Sequence, residues 1–186
     1  HVQVALPDLV GAARERQDRI GDAPGDQDRR QRAEQQQAGG QVRAGAQHLL
    51  ELLPRQLDGR ALRHVVEVRH DSFCVPEFIT LIRQFETPVV FAEHGKYPAI
   101  ADVASDFVYA RLQKGNDEIK TCYPPKQLDA WAERFEAWAS GGEPNDLPKV
   151  DKTKPKKMPR DVFAYVIHEG KVRAPHGAME LIERVK

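Results

Sequence analysis

From about residue 46 onward, short runs of apolar and β-branched residues alternate with amphipathic segments. The sequence predicts four buried strands, which have the sequences HVVEV, PVVFA, DFVYARL and VFAYVI, at residues 64–68, 88–92, 106–112 and 162–167. Mostly apolar strands that alternate with helices are typical of a parallel sheet whose faces are covered by helices. This alternation restricts the chain to the α/β class.

Four helices are predicted around these strands. They are Gln47–Pro54, Val75–Glu86, Pro125–Ser140 and Ala178–Val185. In the third helix, Leu128, Trp131, Phe135 and Trp138 recur at a spacing that places them on one face. We interpret this face as the surface that packs against the sheet, and not as a cofactor site.

Residues 1–46 differ from the rest of the chain in composition. All thirteen aromatic residues lie at or after Phe73, and all eleven lysines lie at or after Lys96. The first 46 residues are rich in Gln, Arg, Ala, Gly and Asp, and such a segment buries too little apolar area to offset the entropy of ordering its backbone. Three interpretations fit this low-complexity segment: it is a disordered or weakly helical tail, it is an out-of-frame translation, or it is an Arg/Gln arm for nucleic acid. The last is the weakest, because Asp and Glu match the number of Arg residues there.

The charge of the chain is balanced. It has 28 Lys and Arg residues and 28 Asp and Glu residues, so a general attraction to nucleic acid or to an anionic membrane is not expected. The sequence contains no run of 18 apolar residues, so it does not predict a membrane span. Cys74 and Cys122 are far apart and form no CxxC motif, so we expect reduced thiols in a cytoplasmic protein.

Several motifs from residue 48 to the end occur together. They are ExRHxSF at Glu67–Phe73, KYP at Lys96–Pro98, DFVYARL at Asp106–Leu112 and VRAP at Val172–Pro175. In combination they resemble the YecE-like family, domain of unknown function 72, whose members are TIM-type barrels of uncharacterised role. The resemblance implies a TIM-type α/β barrel at residues 47–186. A complete barrel takes about 250 residues, so only its C-terminal half is expected here.

Ionisable and aromatic residues lie towards the ends of the predicted strands. Because parallel strands end at the same edge of a sheet, and ligands bind at that edge in barrels, we expect these side chains to form a site. The candidate catalytic residues are Glu67, His70, Glu93 and His168, and the candidate ligand-binding residues are Arg69, Tyr109, Arg111, Lys171 and Arg173. A structural ion pair between Glu67 and Arg69 is the alternative for that strand.

The leading functional hypothesis is a site for an anionic small molecule or a phosphate-bearing ligand, with metal-assisted hydrolysis as a further step. Glu93–His94 and His168–Glu169 have the side chains that metals and acid–base chemistry use, but no HxH or HExxH motif occurs. Metal, cofactor, oligomeric state and enzymatic activity therefore stay open.

The alternative function is a non-enzymatic module that binds nucleic acid or a protein partner. It would use the basic loop 149–160, which has six basic residues and one acidic residue. No aromatic residue lies within this loop to stack on bases, so the loop is a weak nucleic-acid signal. A third possibility is that the chain is a truncated product without function.

Overall fold

The computed structural model describes residue 40, residues 43–167 and residues 172–185. Residues 43–52 form helix α1, which is followed by a short antiparallel hairpin. The remaining elements are, in chain order, β1 (Gln56–Leu57), β2 (Arg60–Ala61), α2 (Pro76–Gln84), β3 (Phe91–Glu93), β4 (Phe107–Leu112), α3 (Pro125–Ala139), β5 (Asp161–Val166) and α4 (Ala174–Arg184).

Strands β3, β4 and β5 form a parallel sheet in chain order. The segment 64–68 lies beside the start of β3, where Val66 pairs with Val89 in a parallel bridge. The Val66 N–H donates to the carbonyl of Pro88 at 3.0 Å, and the Val90 N–H donates to the carbonyl of Val66 at 2.8 Å. All four predicted strands therefore lie side by side, with their carboxyl ends at one edge.

Alternation along the strands separates two faces of this sheet. One face packs on the helices: the ring of Phe91 in β3 lies 5.7 Å from Trp131 and 5.9 Å from Trp138 of α3, measured between centroids. Trp138 is fully buried, and replacing a buried Trp by Ala costs about 3–5 kcal/mol. The predicted packing role of the aromatic residues in α3 is thus confirmed.

A second apolar cluster surrounds α2. Phe78, Ile79 and Ile82 of α2 are buried together with Val66, and Leu50 of α1 joins the same cluster. This cluster fixes the segment 64–68 against the helices. The side chains at alternate positions of that segment therefore face away from α2.

Several element boundaries differ from the predictions. Helix α4 begins at Ala174 instead of residue 178, because Pro175 suits the first turn of a helix. The β1–β2 hairpin was not predicted, although its Asp58-Gly59 turn is a strong hairpin signal. Both turn residues have positive φ, 50° and 74°, as the type I′ geometry requires.

The structure confirms a mixed α/β fold with parallel strands. The described residues form only a two-stranded and a three-stranded sheet, so a TIM-type barrel is not confirmed by them. No helix in these parts of the chain is long and apolar enough to cross a membrane. Most of the segment 1–46 lies outside the described residues, and its assignment stays a prediction, as does a cytoplasmic location.

Candidate functional site

A buried carboxylate lies on the sheet face opposite to the one that packs on α3. Glu67 is 7% exposed, and Nη1 of Arg111 donates to both of its carboxylate oxygens at 2.6 Å. Arg111 in β4 stands opposite Ala92 in β3, whose methyl group leaves space for the guanidinium to cross towards Glu67. The structure thus brings together two residues that are 44 positions apart in the sequence.

A second arginine shares the same carboxylate. Nη2 of Arg69 lies 3.5 Å from Oε1 of Glu67, and the Arg69 side chain is 48% exposed. Its guanidinium lies 5.1 Å from the centroid of the Tyr97 ring, which in turn stacks on His94 at 4.4 Å. Two positive charges therefore meet one negative charge, and the outer guanidinium remains accessible to solvent.

Tyr109 lies on the same face as Arg111, two residues earlier in β4. Its ring stacks on Tyr165 of β5, with 4.7 Å between centroids and 21° between planes. Burial, followed by the neighbouring Tyr165, raises the pKa of the Tyr109 hydroxyl above its usual value. A side-chain hydrogen bond with Tyr165 contributes in the same direction, so the Tyr109 hydroxyl already has a partner within the sheet.

Glu93 belongs to a different group of side chains. It is paired with Leu112 in the β3–β4 register, so it points to the helix-covered face, opposite to Glu67 and Arg111. The hydroxyl of the buried Tyr123 donates to Oε2 of Glu93 at 2.6 Å, and the Lys114 N–H donates to the Tyr123 oxygen at 2.9 Å. Burial, followed by the hydrogen bond to Glu93, raises the pKa of Tyr123.

Sequence reasoning missed Tyr123 because no motif marks it, and its partner precedes it by 30 residues. The contact changes the expected role of Glu93. One of its oxygens is held by a phenol, so the carboxylate is oriented from the helix side before any ligand could reach it.

His70 and Arg173 make local contacts. Nδ1 of His70 accepts the backbone N–H of Ser72 at 3.2 Å and lies 2.9 Å from the Ser72 hydroxyl, so His70 caps the short 3-10 turn Asp71–Phe73. Nε of Arg173 donates to the carbonyl of Asp117 at 3.2 Å, at the start of α4. His168 and Lys171 lie outside the described residues.

The comparisons with known proteins identify the family. A family model described as "Protein of unknown function DUF72" matches residues 37–186. The chain belongs to the DUF72 family. The resemblance seen in the sequence is confirmed, and the match begins about ten residues before it. No curated protein matches the chain.

Solved structures of DUF72 proteins are similar to parts of this DUF72 chain. A DUF72 family protein (EF0366) from Enterococcus faecalis V583 is 12% identical, with a TM-score of 0.45 over 66% of this chain and 48% of its own. A second (TM1631), from Thermotoga maritima MSB8, is 15% identical, with a TM-score of 0.41 over 68% of this chain and 46% of its own. The chain thus spans about half the length of the structures it matches.

In the described part of this DUF72 chain, no three His, Cys, Asp or Glu side chains are grouped to hold a metal ion. The predicted pair Glu93–His94 does not form such a group, because Glu93 contacts Tyr123 and Nδ1 of His94 accepts the N–H of Lys96 at 2.9 Å. The pair His168–Glu169 lies outside the described residues.

The basic loop 149–160 divides its charges between the interior and the solvent. Lys149 lies 3.8 Å from Glu143, and the side chain of Arg160 is buried. All five lysines of the loop are exposed, and they are Lys149, Lys152, Lys154, Lys156 and Lys157. Of its six basic residues the loop therefore presents five to solvent, and one of these, Lys149, lies near a carboxylate.

Proposed function

We propose that this DUF72 chain binds an anionic small molecule, of which a phosphate-bearing compound is the best-fitting class, at the carboxyl edge of its parallel sheet. One observation supports this most: Arg69 and Arg111 share the single buried carboxylate of Glu67. Among the described residues, the group of Arg69, Arg111 and Glu67 therefore has one more positive charge than negative charge. An anion that approaches from solvent supplies the missing charge.

The geometry favours the outer arginine as the group that meets the ligand. Arg111 is 18% exposed and directs Nη1 at Glu67, whereas Arg69 is about half exposed and lies 3.5 Å from it. A guanidinium presents several N–H donors in one plane, which suits a phosphate or a carboxylate. Tyr97 lies under the Arg69 guanidinium and limits its freedom before binding.

We propose that this site belongs to a TIM-type barrel, to which the described residues contribute four neighbouring strands. Consecutive strands that are parallel and adjacent in chain order are the arrangement found in such barrels. A hydrolytic step at this edge, with or without a metal, would draw on Glu67 and His70 and on the predicted His168. Glu93 lies on the opposite face of the sheet, against Tyr123, and would not share that step with Glu67. The contacts of His70 with Ser72 leave its Nε2 as the nitrogen for proton transfer.

The test is calorimetric titration of the full chain with phenyl phosphate. Arg69→Gln should weaken binding about tenfold, since one charge-assisted hydrogen bond contributes about 1.5–3 kcal/mol. Arg134→Gln is the matched control. This substitution makes the same change in net charge, and Arg134 pairs with Asp146 on the surface of α3. Equal affinities for the Arg69→Gln variant and the unmodified chain would refute the proposal.

The exposed lysines of the basic loop support nucleic-acid binding as a second candidate function. Replacing Lys154, Lys156 and Lys157 by Gln should then reduce the dependence of single-stranded DNA binding on salt, because fewer counterions are released. An unchanged salt dependence would exclude this loop as the contact surface.

A further inference from the structure

We propose that the amino edge of the sheet, opposite to the site above, holds a separate binding site for a small organic anion with an apolar body. A cavity of about 550 Å³ lies at this edge. Its lining includes Asp106 and Phe107, where β4 begins, and Arg160, which directly precedes β5. A volume of this size accommodates a small-molecule ligand.

The strongest reason is the environment of Arg160. Its side chain belongs to a residue that is 7% exposed, and its three guanidinium nitrogens donate to the carbonyls of Ser105, Gly142 and Lys156 at 3.2, 3.3 and 2.6 Å. Among the described residues, no carboxylate lies within ion-pair distance of it. Carbonyl dipoles thus supply all the direct contacts of a buried full charge, which an anion in the cavity would balance.

Desolvation is large enough to lower the pKa of Arg160, against the opposing effect of the negative charge of Glu143. Glu143 contacts Lys149, at 3.8 Å. The carboxylate whose charge affects Arg160 therefore already interacts with another cation. An anionic ligand in the cavity would favour the charged form of Arg160, as Glu143 does.

The remaining cations of the cavity wall fall into two classes. Arg63 pairs with Asp161 at 2.7 Å, and Arg83 pairs with Asp151, so their charges are balanced. The other basic residues of the lining have no ion pair within the described chain, and they are Arg55, Lys156 and Arg160. Glu86 and Asp106 are the lining acids outside these pairs, and Asp106 lies 3.9 Å from Arg63, which leaves an excess of one positive charge among the described lining residues.

Apolar side chains form the rest of the wall. Leu62, Val103, Phe107 and Met158 line the same cavity as the basic groups. The guanidinium of Arg63 lies 4.3 Å from the centroid of the Phe107 ring, so cationic and apolar surfaces are continuous. This combination fits an aromatic or aliphatic phosphate, sulfonate or carboxylate better than an inorganic ion.

The experiment uses the full chain that carries Arg69→Gln, in which binding at the carboxyl edge is expected to be about tenfold weaker. The probe is 1-naphthyl phosphate, titrated by calorimetry. Lys156→Glu should weaken its binding about tenfold, because an attractive charge at the cavity becomes repulsive. Lys157→Glu is the matched control: it makes the same charge change in the neighbouring exposed residue, which does not line the cavity, and should change affinity less than about twofold.

Three outcomes decide the proposal. A loss of affinity specific to Lys156→Glu supports it. Equal losses in the two variants would show a general surface attraction and overturn it. Absence of naphthyl phosphate binding in the Arg69→Gln chain itself would also overturn it, without affecting the proposed site at the carboxyl edge.

Discussion

Replacing Glu67 by Gln should destabilise the protein and at the same time strengthen its affinity for anions. Removing one partner of a buried ion pair costs about 3–5 kcal/mol. Gln keeps the shape and one oxygen acceptor, and Arg111 and Arg69 retain partial contact with water at 18% and 48% exposure. We therefore expect the free energy of unfolding to fall by about 2–3 kcal/mol.

Urea unfolding followed by tryptophan fluorescence measures this loss. Trp131 and Trp138 both pack against Phe91 of the sheet, so their emission reports the separation of helix and sheet. With a denaturant slope of about 2 kcal/mol per M, the midpoint should fall by about 1–1.5 M. A midpoint within about 0.2 M of the unmodified protein would refute the assignment of Glu67 as a buried charge partner.

A double variant separates lost charge balance from lost packing. Glu67→Gln combined with Arg111→Met removes both members of the pair and keeps their approximate volumes. Because the buried pair is then neutral and Arg69, which loses the same carboxylate, is about half exposed to solvent, we expect the double variant to recover at least half of the lost stability. In calorimetry, Glu67→Gln alone should bind phenyl phosphate several-fold more tightly, since both arginines are then released from the carboxylate.

Three further predictions concern single positions. Gly141→Ala should lower the unfolding free energy by at least about 1–3 kcal/mol in urea titration, because φ is +91° and a Cβ would lie 2.6 Å from a backbone oxygen. Tyr123→Phe should cost about 1–2 kcal/mol in the same assay, since it removes the hydroxyl that orients Glu93; an unchanged midpoint would contradict that role. A thiol reagent should label only Cys74 in the folded chain and also Cys122 in urea, because Cys122 is buried. Burial raises the pKa of Cys74, so its labelling rate should still increase with pH above about 8.5.

The sequence was sufficient to predict the α/β class and a parallel sheet, because the apolar runs of the strands reflect burial between layers. It also placed Glu67, Arg69, Tyr109 and Arg111 near one edge, since parallel strands end together. Their mutual contacts depend on register, which a single sequence does not specify. The pairing of Arg111 with Glu67 across β3 is an example.

The position of Glu93 shows a second limit. Strand alternation gives the relative side of two residues in one strand, but not which side faces the helices. The structure directs Glu93 towards Tyr123 and away from Glu67. Predicting this would have required knowing that the loop between β4 and α3 folds back over the end of β3.

The order of the strands has a consequence for synthesis on the ribosome. The segment 64–68 pairs at the start of β3, β3 pairs with β4, and β4 pairs with β5, so each new strand joins one already emerged. No described strand of this sheet must wait for a later one to be inserted between it and its neighbour. Assembly can therefore proceed from the amino to the carboxyl terminus, with β5 the last of these strands to join as the chain leaves the exit tunnel.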